Sequence, residues 1–117
     1  MFIVEDEPLL AMNAEDMLNE LGHTVTAIAT RLDSALVLAQ TSEFNLAILD
    51  INLAGSKSFQ VADILRKKAI PFIFTTGYGV NGLDDSYRGQ HVLTKPFGIR
   101  ELKHIIEQAL SEDVGGS

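Results

Sequence analysis

The sequence predicts an α/β fold: a five-stranded parallel sheet, doubly wound, with helices on both faces. Three observations predict it. Short apolar runs alternate with stretches whose apolar residues recur at helical spacing, the pattern of strand–helix–strand units. The run Leu46–Leu49 is unbroken, partly β-branched and too short for a helix, which is how a strand buried on both faces reads. That run ends in a carboxylate, Asp50, and other strand candidates end in Glu5-Asp6-Glu7, Thr75-Thr76 and Lys95. Ligands of open α/β sheets sit outside the carboxyl ends of the strands. These polar groups therefore belong to one end of one sheet.

The elements follow in order. Phe2–Val4 is a short strand, and Pro8 suits the first turn of the helix after it. Leu10, Ala14, Met17, Leu18 and Leu21 form that helix's apolar stripe, and Gly22 stops it. Thr24–Ala29 is a second strand. Thr30 followed by Asp33 resembles a capping box with Asp in place of Glu, opening a helix marked by Leu32, Ala35, Leu36 and Ala39. After the third strand, Ala54-Gly55-Ser56 is a turn, and Ser58 caps a helix carrying Phe59, Ala62 and Leu65. Phe72–Thr75 is strand four and Val92–Thr94 strand five. Ile99, Leu102, Ile106, Ala109 and Leu110 stripe the last helix. One interval resists the pattern. A helix belongs between strands four and five, yet the Gly77–Gln90 stretch holds four glycines, each costly in a helix interior. A shortened or irregular fourth helix is expected there. Residues 1–111 make one domain, and 112–117 read as a polar, frayed tail.

Composition bounds the function. The chain has 117 residues, sufficient for one core, and no cysteine, which excludes disulfides and thiolate metal sites. No apolar run approaches a membrane span, and the amino terminus has no signal-peptide character, so a cytoplasmic protein is the default. The net charge of −7 leaves no basic footprint for nucleic acid.

Parallel pairing brings the ends of strands one and three side by side, which crowds Glu5, Asp6 and Asp50. Such carboxylates repel unless a cation intervenes. An all-oxygen set suits magnesium, manganese or calcium, and magnesium keeps waters that a phosphate oxygen can replace. Glu7 is better read as a helix-terminus carboxylate. Lys95, before Pro96, can balance the acids and grip a phosphoryl oxygen. Thr76 offers a hydroxyl. A carboxylate acceptor, a cation, a lysine and a hydroxyl together make a phosphoryl-transfer site. Lys95-Pro96 is a candidate cis bond.

With Val4-Glu5-Asp6-Glu7-Pro8, Leu49-Asp50-Ile51-Asn52-Leu53-Ala54-Gly55, Thr76-Gly77 and Lys95-Pro96-Phe97 in this order, the chain resembles the receiver domain of two-component response regulators over essentially its whole length. The resemblance implies a flavodoxin-like fold. It makes Asp50 the phosphoacceptor for a histidine kinase or phosphotransfer protein. It implies Mg2+ held by Asp6, Asp50 and the Asn52 main-chain carbonyl, with Glu5 assisting through water. Thr76 and Lys95 would contact the phosphoryl group, and Lys95-Pro96 would be cis. It also implies partner docking at Leu9, Met12 and Asn13 and at the turn after Pro96. The output would be altered affinity for a downstream protein, from a monomer or weak dimer that is not an enzyme. No recognisable output domain follows the last helix, the arrangement of a single-domain regulator or an excised receiver.

Two departures stand out. The position three before the lysine, often an aromatic switch in the family, is Val92. Phe74-Thr75-Thr76-Gly77-Tyr78-Gly79 resembles a subfamily with a Phe-Ala-Thr-Gly-x-Tyr motif, a poorly formed fourth helix and an association with HWE-type kinases. Phosphorylation is then expected to order the 77–90 stretch in place of turning a ring. Two competing readings are a binding module that acts without phosphorylation and a Mg-dependent aspartyl-phosphate phosphatase. The complete Asp6, Asp50, Thr76 and Lys95 set opposes the first. The second usually needs an Asp where Asn52 stands. Gly77–Gly82 fits a dinucleotide fingerprint but follows strand four and opens no convincing helix, and His23, His91 and His104 are too scattered to ligate a metal.

Overall fold

Apolar residues alternate along each central strand and so feed two cores, one on each face of a parallel sheet. The structure is a computed structural model and describes residues 1–77, 83 and 85–115. In chain order the elements are β1 (Phe2–Val4), α1 (Pro8–Glu20), β2 (Ala27–Ala29), α2 (Leu32–Thr41), β3 (Ala47–Asp50), β4 (Asn52–Leu53), β5 (Ser56–Lys57), α3 (Phe59–Lys67), β6 (Phe72–Thr76), β7 (Val92–Thr94) and α4 (Ile99–Gly115). The main sheet has the order β2-β1-β3-β6-β7, parallel throughout. The predicted doubly wound α/β fold is therefore present, with the site-bearing strands β1, β3 and β6 at its centre.

On one face Phe2, Val4, Leu49, Phe72 and Phe74 pack with Ala35 and Ala39 of α2 and with Val61, Ala62 and Leu65 of α3. On the other Ile3, Ile48, Ile73 and Leu93 pack with Ala14 and Leu18 of α1 and with Leu102, Ile106 and Ala109 of α4. Each fully buried large side chain contributes about 1.5–3 kcal/mol relative to exposure. Both faces of the central strands are thereby committed to packing, and only their carboxyl ends are left for chemistry.

Several local expectations change. Only the last three residues of Thr24–Ala29 are strand. The Thr30–Asp33 capping box does not form: Arg31 is the N-cap residue with no side-chain cap, and Asp33 binds Arg31 and the Ser34 N–H instead. Ser58 takes the N-cap position of α3, but its hydroxyl caps nothing; its carbonyl accepts from Val61 and Ala62. The Ala54-Gly55 turn proves to be the tip of a hairpin, β4–β5. The last helix continues past Glu112, where the frayed tail was expected, in a stretch without Gly or Pro before Gly115.

Between β6 and β7 the described residues carry one turn of 3-10 helix, Asp85–Tyr87, and no α-helix. Of the expected shortened or irregular fourth helix, this turn is the part that falls on described residues. The expected ordering of the 77–90 stretch, and the dinucleotide-like glycines, bear on residues 78–82 and 84, which lie outside the described residues.

Candidate phosphoryl-transfer site

β1, β3 and β7 end together, and the sequence at each end is polar. β1 delivers Glu5 and Asp6 just beyond Val4, and β3 delivers Asp50. Val4 pairs with Leu49, so the acids that follow these residues meet. Asp50 is fixed by its strand: it pairs with Thr75, and the Ile51 N–H donates to the Thr75 carbonyl at 3.0 Å. One carboxylate oxygen from each of Glu5, Asp6 and Asp50 lies within 4.8 Å of the others.

Lys95 arrives from two strands away. Its backbone N–H donates to the Thr76 carbonyl at 2.8 Å, which extends the β6–β7 ladder one step past β7. Adjacent strands lie about 4.8 Å apart, so β7 stands roughly 10 Å from β3. A lysine stem helps span that gap, where a short polar side chain would fall short. The Lys95 ammonium sits 2.7 Å from Glu5 Oε1 and 2.9 Å from Asp50 Oδ2. Lys95-Pro96 is cis, as the sequence suggested.

The electrostatics follow from crowding. Burial pushes the Glu5 carboxyl up to about 7; the Lys95 ammonium and the Glu7 N–H pull it down, and the Asp50 charge adds to the rise. Burial also works against ionisation of Asp6, but its hydrogen bonds with Glu5, with the Ala54 N–H and with Asp50 together hold it below the usual carboxylate range. Lys95 is held above its ordinary value: burial opposes its charge, and two carboxylates outweigh burial. The two sides of this ion pair thus pull apart. Lys95 gains from two anions, whereas Glu5 has lost more water than one shared ammonium replaces.

The remaining predicted residues fall nearby. Thr76 is buried at the end of β6. Asn52 opens the β4–β5 hairpin, its N–H 3.4 Å from Asp50 Oδ1. The hairpin is what sequence reasoning missed. Ala54 and Gly55 both take positive φ, 49° and 92°, as a two-residue type I′ turn requires. Ala is a poor residue for that conformation, so the usual Asn-Gly signal was missing. Asp6 supplies a fixing contact, its Oδ2 accepting the Ala54 N–H at 2.9 Å. Across the hairpin the Lys57 ammonium donates to Asn52 Oδ1 at 2.6 Å. Glu7 occupies the N-cap position of α1 without a side-chain cap.

Leu9 and Met12 are exposed on α1, at 75% and 56%. Beside them a cavity of about 330 Å³ runs between α1 and the Pro96-Phe97 turn, lined by Leu10, Asn13 and Met17 and reaching Glu5 and Lys95. An all-oxygen cluster of this kind suits a hard divalent cation: its donors are carboxylates, and one ammonium leaves it net negative.

The family model for the response regulator receiver domain matches residues 1–107. The chain is 35% identical over 112 residues to the phyllosphere-induced regulator PhyR of Methylorubrum extorquens, covering 92% of this chain and 42% of that protein. Its fold superposes on the solution structure of SdrG from Sphingomonas melonis with a TM-score of 0.80 and 38% identity, covering 97% of this chain and 93% of that one. It superposes on the crystal structure of the anti-anti-sigma factor PhyR from Bartonella quintana with a TM-score of 0.85 and 36% identity, covering 98% and 48%. The chain spans about half the length or less of the PhyR proteins it matches. On the sequence match, the sheet order and the acidic corner together, this chain belongs to the response regulator receiver domain family.

Proposed function

We propose that the chain is a phosphorylation-controlled switch in two-component signalling, with Asp50 as phosphoacceptor. The observation that carries the reading is the three-way contact of Lys95 with Glu5 and Asp50 inside a carboxylate cluster. An Asp50 oxygen attacks the phosphorus of a phosphohistidine, an O–P bond forms, and the N–P bond to the donor breaks. Lys95 is placed to follow the charge from the carboxylate to the phosphoryl oxygens. Thr76, at the end of the neighbouring strand, is positioned to offer its hydroxyl. Asp6, Asp50 and the Asn52 carbonyl would hold Mg2+, with Glu5 assisting. The cation supplies charge neutralisation.

The donor is a histidine kinase or phosphotransfer protein, docking on Leu9, Met12 and Asn13 and on the Pro96-Phe97 turn. The output is a change in affinity for a protein partner. One relative is described as an anti-anti-sigma factor, and the class of protein such a factor acts on, an anti-sigma factor, is the class of partner proposed. The chain works as a binding module in the cytoplasm and not as an enzyme with external turnover.

The test is labelling by a small phosphodonor such as acetyl phosphate, followed by mapping of the acyl phosphate. One Mg2+-dependent label at Asp50 is expected. A label elsewhere, or one indifferent to chelation, overturns the assignment.

A further inference from the structure

Val92 leaves β7 without an aromatic residue, yet one aromatic side chain of the segment before it is clamped between α3 and β6. Tyr87 ends the 3-10 turn between β6 and β7 and is 1% exposed. Its ring stacks on Phe59 at 5.6 Å and meets Phe74 edge-on at 5.4 Å. Its hydroxyl donates to the Asp63 carboxylate of α3. The Arg66 guanidinium lies 3.9 Å from the ring centroid and donates to the Ser86 carbonyl at 3.1 Å. Stacking, a charge-assisted hydrogen bond and a cation–π contact thus converge on one side chain.

Both routes out of the site end at this ring. Phe74 precedes Thr75-Thr76 on β6. Phe59 opens α3 directly after the hairpin that leaves Asp50. Drawing the Thr76 hydroxyl toward a phosphoryl group on Asp50 therefore shifts the end of β6, where the Phe74 ring bears on a tyrosine fastened to α3.

Resting on the phosphoacceptor reading above, we infer that Tyr87, Asp63 and Arg66 form a latch that opposes phosphoryl binding at Asp50, so that Tyr87 is the positioning aromatic of this receiver in place of residue 92. Release of the latch would free the face of α3 and the 85–87 turn for a partner. Coupling between sites is reciprocal, so weakening the latch must strengthen phosphoryl binding.

The experiment titrates beryllofluoride, a phosphoryl mimic, in the presence of Mg2+ against the wild type, Tyr87→Phe and Asp63→Asn. Each variant should bind the mimic about fivefold more tightly or better. Mg2+ affinity without the mimic should be unchanged, which a general loosening of the fold would alter. The sequence holds two tyrosines and no tryptophan. In a Tyr78→Phe background, Tyr87 emission should therefore shift when the mimic binds. Equal or weaker binding by both variants overturns the latch alone. Failure of the wild type to bind the mimic overturns the phosphoacceptor reading and the latch with it.

Discussion

The acidic corner at the carboxyl ends of the strands and the aromatic corner between α3 and β6 are held by opposite means. Around Lys95, three carboxylates each bring one oxygen within 4.8 Å of the others, and the single ammonium offsets their repulsion only in part. Around Tyr87, the rings of Phe59, Phe72 and Phe74 pack at centroid distances of 5.4–6.0 Å and stabilise the fold without assistance. The first corner carries net negative charge, and the second is satisfied by its own contacts. A switch needs both: a site whose state changes with its ligand, and a packed element that can register the change.

Substitutions should separate the two corners. Asp50→Asn removes the nucleophile and should abolish labelling by acetyl phosphate, with the thermal midpoint held or raised because one repelling charge is gone. Residual labelling would place the acceptor elsewhere. Phe74→Ala empties the aromatic corner and should cost about 3–5 kcal/mol in denaturant unfolding. Mg2+ affinity, read by titration, should stay within a few-fold of wild type. A large loss of metal binding would mean the corners are one structural unit. Lys95→Ala strands Glu5 and Asp50 without their shared cation and should cost about 1–3 kcal/mol in metal-free protein near pH 8. Saturating Mg2+ should restore much of that, while the response to phosphorylation is blunted.

The smallest effect is in pH. The Glu5 carboxyl sits at about 7 against its ordinary 4.5, so the folded chain favours its neutral form. Its contribution to metal-free stability is full below about pH 4.5 and lost as the pH rises through about 7, a change of about 1–2 kcal/mol after allowance for relaxation. Glu5→Gln should flatten that dependence. Mg2+ affinity should move the opposite way and strengthen between pH 6 and 8, because the ionised carboxylate is the one that assists a cation. If stability near pH 8 exceeds that near pH 5 by the same route, the burial of Glu5 has been misjudged.

The difference between the corners also explains what could be read in advance. Glu5, Asp6, Asp50 and Lys95 each lie at or just past the end of a short strand, and strand ends converge by the topology of a parallel sheet. Their meeting was therefore legible from order and pattern. Tyr87 was visible only as an apolar residue in a glycine-rich stretch. Its partners Asp63 and Arg66 lie on α3 and read as ordinary polar helix positions. The hairpin was hidden for a related reason: Ala54 takes a positive φ that its residue type does not announce, and a contact from Asp6, 48 positions away, helps to hold it there.

By itself the sequence determined the alternation of elements, the buried faces of the central strands and the polar identity of their ends, because these follow from periodicity and residue volume along the chain. Tertiary structure alone decided which acid oxygens Lys95 contacts, that Asp6 fastens a turn, and that a tyrosine is clamped by α3. Each of these is a contact between residues distant in the chain, and its geometry exists only once the sheet has set the distances.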